Sequence, residues 1–529
     1  MTKTKTEFGK LRSLLWPIHH YELKKLIPMV LLFFFILFNY TVLRDTKDAL
    51  VVTAPGGGAE VIPFLKFWGV LPSAIIFMLI YAKLSNRLSK TRLFYASVLP
   101  FLLFFGVFVT VLYPARNFLH PHAFCDKLAT ILPLGAKGVI AIIRNWTYTC
   151  FYVMAELWGS VALSLLFWGF ANDITKISES KRFYALFGLF ANFSLIISGG
   201  LVRWSSQIRQ NLPPSVDPWQ ISLNYLIGMV IVSGLIILGI YWWINRHVLT
   251  DPRFYSQEER SNKKKEKPKL SLKESFLYLI RSKYLGCIAV LVIAYGISIN
   301  VIEVTWKAQL HIQYPDPNVY SMFMGRFSQI TGLITIFMML FVGGNAIRFL
   351  GWKGAALITP ITILITGAGF FTFIIFKTNL TPLIASIGTT PLMLAVVFGT
   401  IQNILSKSSK YSLFDPTKEM TYIPLDQEQK IKGKAAVDVV GARLGKSGGA
   451  LVQQGLILIL GSIGAITPYV AGILLVIILL WIVAVKSLNK QFLCLTTSKR
   501  KQCVDAPPAS ITESDAACVD SQVEITPTS

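Results

Sequence analysis

The sequence predicts an all-α polytopic membrane protein with about twelve transmembrane helices in a six-plus-six arrangement. Three observations predict it. A mean hydropathy of +0.56, with 53% hydrophobic residues over 529 positions, is too apolar for a soluble multidomain protein. Apolar runs long enough to cross a bilayer recur along the chain, separated by polar turns. One hydrophilic stretch, containing Lys263-Lys-Lys-Glu-Lys-Pro-Lys269, divides these runs into two sets.

A polar, basic segment, 1–26, precedes the first span, 27–43. It lacks the cleavage site of a signal peptide, and no Ser-rich transit sequence is expected. The second span, 65–83, opens on Lys66, and the third, 93–113, follows the basic turn from Asn86 to Arg92. The fourth, 138–171, is long and carries Glu156 in the otherwise apolar run Glu156-Leu-Trp-Gly-Ser-Val-Ala-Leu-Ser-Leu-Leu-Phe-Trp-Gly-Phe-Ala-Asn172. Spans 184–204 and 222–245 complete a first half, 27–245, and the basic linker is 246–283. The second half, 284–486, begins with 284–303, which closes on Glu303. It continues through 325–349, 353–376, 391–407, 434–464 and 467–486, with Lys446 inside the long eleventh span. The tail, 487–529, is rich in Ser, Thr, Pro, Ala and acids and reads as a disordered cytoplasmic segment.

Six spans, a linker and six more are the plan of the major facilitator architecture, whose site lies between the halves near the bilayer midplane. The halves also echo each other. Lys181-Arg-Phe-Tyr-Ala-Leu-Phe-Gly188 follows the fourth span as Ser409-Lys-Tyr-Ser-Leu-Phe-Asp415 follows the tenth. The turn from Asn86 to Arg92 has its counterpart in Arg348-Phe-Leu-Gly-Trp-Lys353.

The formal charge of +24 would suggest a nucleic-acid partner in a soluble protein. Here the basic residues gather in loops on one side of the alternating spans, as the positive-inside rule requires of cytoplasmic loops, so no nucleic acid is expected. Both termini then fall in the cytoplasm. Arg44 and Lys47 fall in an opposite loop among Asp45, Asp48 and Glu60. An ionisable group at membrane depth is expensive unless paired or wetted, and its default reading is a transport pathway. Lys66, Glu156, Glu303 and Lys446 are such groups and suit an ionic solute.

Competing chemistries find little support. Gly441-Ala-Arg-Leu-Gly445-Lys446-Ser447 has three residues between its glycines where a Walker loop needs four, and no buried strand precedes it. Gly448 and Gly449 instead favour close helix contact. Cys125, Cys150, Cys287, Cys494, Cys503 and Cys518 have no metal-ligand spacing, so neither a metal site nor a disulfide framework is indicated. The histidines lie near predicted ends or loops and form no relay, and the sequon Asn145-Trp-Thr147 sits in or beside a span. Neither a nucleophile constellation nor a cofactor motif supports a membrane enzyme.

Several longer strings carry a family resemblance. Leu43-Arg-Asp-Thr-Lys-Asp48, Glu60-Val-Ile-Pro-Phe-Leu-Lys66, Ala155-Glu-Leu-Trp-Gly-Ser160, Phe167-Trp-Gly-Phe-Ala-Asn172 and Val301-Ile-Glu-Val-Thr-Trp-Lys307 resemble the nucleotide transporters of obligate intracellular bacteria and plastids. Lys418-Glu-Met-Thr-Tyr-Ile-Pro-Leu-Asp426, Lys432-Gly-Lys-Ala-Ala-Val-Asp438 and Gly445-Lys-Ser-Gly-Gly449 extend the match, which is most similar to chlamydial ADP/ATP translocases. The resemblance implies that Lys66, Glu156, Glu303 and Lys446 take part in transport, that ATP and ADP are the substrates, and that the lipid bilayer is a bacterial inner membrane. It implies an ATP/ADP antiporter, with a transporter of GTP, UTP or mixed ribonucleotides, proton-coupled or not, as the alternative. On this reading Lys66 and Lys446 contact phosphate, Arg44, Lys47 and Arg443 assist, and Tyr148, Tyr152, Trp158 and Trp306 are the candidate walls of an adenine slot. Glu156 and Glu303 then pair with these bases when the site is empty, or bind base and ribose.

Overall fold

The computed structural model describes residues 18–175, 177–208, 213, 215–251, 282–425, 433–434, 437 and 442–505. Among the described residues the regular structure is helical, with no strand. Nine helical runs among the described residues are long and apolar enough to cross a bilayer. One of them, Pro317–Ile375, is two spans joined at Gly351, whose φ of 67° is a left-handed conformation that glycine tolerates without a Cβ clash. Pro391–Ser409, made less apolar by Gln402, Asn403, Ser406 and Lys407, and Ala442–Leu460 complete the set.

In chain order the spanning helices are α1 (Leu23–Val52), α2 (Val61–Ser85), α3 (Lys90–Leu112), α4 (Trp146–Ile174), α5 (Ile177–Gln207) and α6 (Pro218–His247). The second set is α7 (Lys283–Gln313), α8 (317–350), α9 (352–375), α10 (Pro391–Ser409), α11 (Ala442–Leu460) and α12 (Ile463–Asp505). Several starts are written in the sequence as a capping side chain followed by proline. Asp217 accepts from the Trp219 amide ahead of α6, Asp316 from Val319 ahead of α8, and Thr390 from Met393 ahead of α10, each with proline next in line.

Several boundaries differ from expectation, among them the end of the seventh span, which runs past Glu303 to Gln313. The first span runs on to Val52, so Arg44 to Asp48 belong to a buried helix and not to a loop. The fourth begins at Trp146, because Asn145 breaks the apolar run with φ −110° and ψ 46° and leaves Lys137–Arg144 as a separate short helix. The eleventh ends at Leu460, where Gly461 turns to φ 87°, and 435–436 and 438–441 at its start lie outside the described residues. The last helix continues to Asp505, past the 486 boundary, and 506–529 lie outside the described residues. Of the basic linker, 252–281 also lie outside them.

The two sets pack alike: α1 lies against α4, α5 and α6, and α7 lies against α10, α11 and α12. Between the sets the principal seam is α5 on α8. Here Gly199 and Gly325 face each other so closely that a Cβ on either would stand 2.5 or 2.6 Å from the other's carbonyl oxygen. Such small-residue contacts let backbones approach in a membrane, where lipid tails supply no hydrophobic drive for association. Large apolar side chains such as Leu79, Leu103 and Ile365 point outward, as a bilayer solvent permits.

Both sets also carry π-helical turns at matching places. They occupy Leu65–Val70 in α2 and Met338–Gly343 in α8, and Gly159–Phe167 in α4 and Lys410–Phe414 following α10. Such turns insert a residue into the helical ladder and concentrate at functional sites.

Candidate functional site

The last turns of α1 bring Arg44, Asp45, Lys47 and Asp48 inside the bundle, where the sequence reading had a loop. The helix tolerates them because they are paired. The Arg44 guanidinium reaches Asp45 at 3.0 Å and donates to the Ser328 hydroxyl at 2.7 Å, and Ser328 donates to Asp45 at 2.7 Å. Lys47 Nζ stands 2.8 Å from Asp48 and 3.0 Å from Glu156 on α4, and 3.9 Å above the centre of the Tyr152 ring.

From Asp48 the chain of charge crosses to the second set. Its other carboxylate oxygen is 2.7 Å from Lys307 Nζ on α7. Lys307 lies 3.1 Å from Glu303, one helical turn earlier, and Glu303 lies 3.6 Å from Lys407 on α10. Three acids and three bases thus alternate as Glu156, Lys47, Asp48, Lys307, Glu303 and Lys407. The order reflects the duplicated fold. Lys47 and Lys307 each come 24 residues after the first residue of their helix (23 to 47, 283 to 307). Glu156 and Lys407 each come three residues before a π turn (156 to 159, 407 to 410), so the two halves place opposite charges at matching sites.

Exposure along this chain gives its direction. The side chains of Asp48, Lys307 and Lys47 are 0%, 3% and 4% exposed, while Glu303, Lys407 and Glu156 are 16%, 19% and 31% exposed. The buried members sit near the helix ends remote from the linker, and the exposed ones lie closer to the linker end. Charges at this depth cannot face lipid cheaply, so the exposed members define a candidate water-filled crevice between the helices. At the linker end Lys25 pairs with Glu179 and Arg182 with Glu22 in the first set, and Lys434 with Glu419 in the second.

Lys66 lies in the π turn of α2 and donates to Asn300 Oδ1 at 2.5 Å, across the two sets. Its partner is an amide and not either of the acids expected to hold it. Asn300 is one turn before Glu303, and α11 packs beside it through Gly449, where a Cβ would stand 3.1 Å from the Asn300 amide nitrogen. Arg443 and Lys446 belong to this same helix, and their side chains lie outside the described residues.

The four aromatic candidates are dispersed. Tyr152 is buried beneath Lys47, and its hydroxyl has no hydrogen-bond partner. Tyr148 instead stacks on Tyr113 and meets His120 toward the remote end. Trp158 is buried with its indole N–H donated to the Ile36 carbonyl. Trp306 donates to Val396 and Thr400. Both indoles pack within one set and present no open ring face to the crevice. Sequence reasoning overlooked Asp48, Lys307, Lys407, Asn300 and Ser328 as site residues. The Glu303 to Lys307 spacing of one turn was a signal that could have found Lys307.

A twelve-span helical bundle of two like-packed sets, with paired charges meeting between them, is a secondary transporter. The fold is similar to a bacterial homologue of the iron transporter ferroportin in its inward-facing state, at TM-score 0.55 and 12% identity over 89% of this chain and 99% of that one. It is also similar to a D-xylose-proton symporter, at TM-score 0.50 and 13% identity over 87% and 97%. The chain belongs to the TLC ATP/ADP transporter family, which it matches over residues 1–492. It is 63% identical over 514 residues to "ADP,ATP carrier protein 1" of Chlamydia pneumoniae, covering 96% of this chain and 100% of that one. It is 60% identical over 518 residues to the protein of the same name from Chlamydia trachomatis serovar D, covering 98% of each. Over 470 residues, 89% of this chain and 74% of the relative, it is 55% identical to "ADP,ATP carrier protein 1, chloroplastic" of Arabidopsis thaliana.

Proposed function

We propose that the protein imports ATP in exchange for ADP across a bacterial inner membrane by alternating access. The observation that carries this reading is the alternating ion-pair chain from Glu156 to Lys407, crossing between the sets at Asp48 and Lys307. A nucleotide polyphosphate is strongly hydrated and must exchange water for cationic and hydrogen-bonding partners on entering the bundle. A balanced chain holds those cations in place without leaving unpaired charge when the substrate is absent. Kinship with carriers named for ADP and ATP, at 60% and 63% identity, favours the adenine nucleotides.

Lys66 and Lys446 are the proposed phosphate contacts, with Arg44 and Arg443 as helpers. Lys47 is locked between Asp48 and Glu156 and serves as a hinge of the pairing network. Tyr152 is the best-situated of the aromatic candidates for the base, since it borders that network. The proposed domains are the halves 27–245 and 284–486 around a cytoplasmic linker 246–283, with both termini, 1–26 and 487–529, on the cytoplasmic side. The basic residues on the linker side support this orientation by the positive-inside rule.

The test is counter-exchange in reconstituted vesicles preloaded with ADP, GDP, UDP or nothing. Labelled ATP uptake is expected to be fastest against ADP. Faster uptake against GDP or UDP, or equal uptake into empty vesicles, would overturn the reading.

A further inference from the structure

Lys407 stands apart from the other bases of the ion-pair chain. Lys307 already lies 2.7 Å from Asp48 and 3.1 Å from Glu303, so the acid on α7 has a close partner without Lys407. The Lys407 contact is the longest in the chain at 3.6 Å, and its side chain is the most exposed of the three lysines. Its ammonium also lies 4.9 Å from the centre of the Phe327 ring, a second, weaker hold. The next residue, Ser328, accepts from Arg44 of the first set. Two cations from opposite sets therefore converge on neighbouring residues of α8, Phe327 and Ser328. An anion placed between them would be attracted by both.

We infer that Lys407 is a substrate-phosphate residue, working opposite Arg44, and that its transfer from Glu303 to phosphate is the step by which substrate loosens the Asp48–Lys307 pair. The inference rests on the proposed nucleotide exchange and extends it. When Lys407 leaves, Glu303 retains only Lys307 among its two ion-pair partners on α7 and α10. Lys307 is shared between Glu303 and Asp48, so a stronger pull from Glu303 weakens the Asp48 contact that joins the two sets. Phosphate arriving at Lys407 thereby acts on the Asp48–Lys307 pair between the sets. Adenosine, which has no phosphate, cannot perform this exchange.

The test compares wild type with Lys407→Gln and Lys407→Arg, purified in detergent and matched for monodispersity. Binding is measured for ATP, ADP and adenosine, and ATP/ADP exchange is measured in vesicles. Lys407→Gln is expected to weaken ATP and ADP binding about tenfold, leave adenosine binding within about twofold, and slow exchange, with Lys407→Arg restoring part of the loss. ATP binding and exchange at wild-type levels in Lys407→Gln would overturn the inference. So would an equal loss of adenosine binding, because the residue would then be structural. If wild type itself fails to exchange ATP for ADP, the nucleotide-exchange reading falls instead.

Discussion

Lys47 shows how a charge survives in this bundle: two carboxylates and an aromatic ring enclose it, and no lipid reaches it. Removing one partner from a buried ion pair usually costs more than the pair contributes, because the other charge stays behind. Lys47→Met is therefore expected to lower stability by roughly 3–5 kcal/mol, with Lys47→Met/Glu156→Gln recovering part of it. Unfolding in detergent checks this, and a Lys47→Met protein as stable as wild type would contradict the pairing. At this scale the sequence was legible where a charge interrupted an apolar run, as at Glu156 and Glu303. It was not legible at Asp48 and Lys407, because charges near the end of an apolar run look the same whether the helix stops or continues. Only the partners, Lys307 and Glu303, reveal that it continues.

At the scale of helices, the seam of α5 on α8 depends on the absence of side chains at Gly199 and Gly325. A leucine at 325 would meet the Gly199 carbonyl, the Arg203 amide and Val202, so the helices must part. Gly325→Leu is expected to destabilise the folded protein by at least about 1–3 kcal/mol, read as a lower melting temperature, and to slow exchange. An unchanged melting temperature would show that the seam is looser than its geometry. Most spans were legible because a bilayer demands about twenty apolar residues whatever their packing. The break at Asn145 was marked only by the single charge of Arg144 before it, within a run that has Ile142 and Ile143 upstream and Trp146 after. The tenth span was legible despite its polar face, its expected limits of 391 and 407 falling within two residues of Pro391–Ser409, although Gln402, Asn403 and Ser406 are buried inside the bundle. The π turns at Leu65–Val70 and Gly159–Phe167 leave no mark in composition.

At the scale of the whole molecule, two like-packed sets meet, and the ion-pair chain carries charge from one to the other through Asp48 and Lys307. The six-plus-six plan was legible from the linker and the paired echoes, whereas the cross-set pairing was not, because it depends on which charges meet across the seam. If that cross-set pairing makes empty reorientation unfavourable, neutralising it should release the carrier from obligatory exchange. The most direct measurement is the ratio of labelled ATP uptake into empty vesicles to uptake into ADP-loaded vesicles, for wild type, Asp48→Asn, Glu156→Gln and Glu303→Gln at matched protein levels. The ratio should be low in wild type and rise in Asp48→Asn and in at least one glutamate variant. A ratio unchanged in all three variants would contradict the account and leave these carboxylates with a binding role alone.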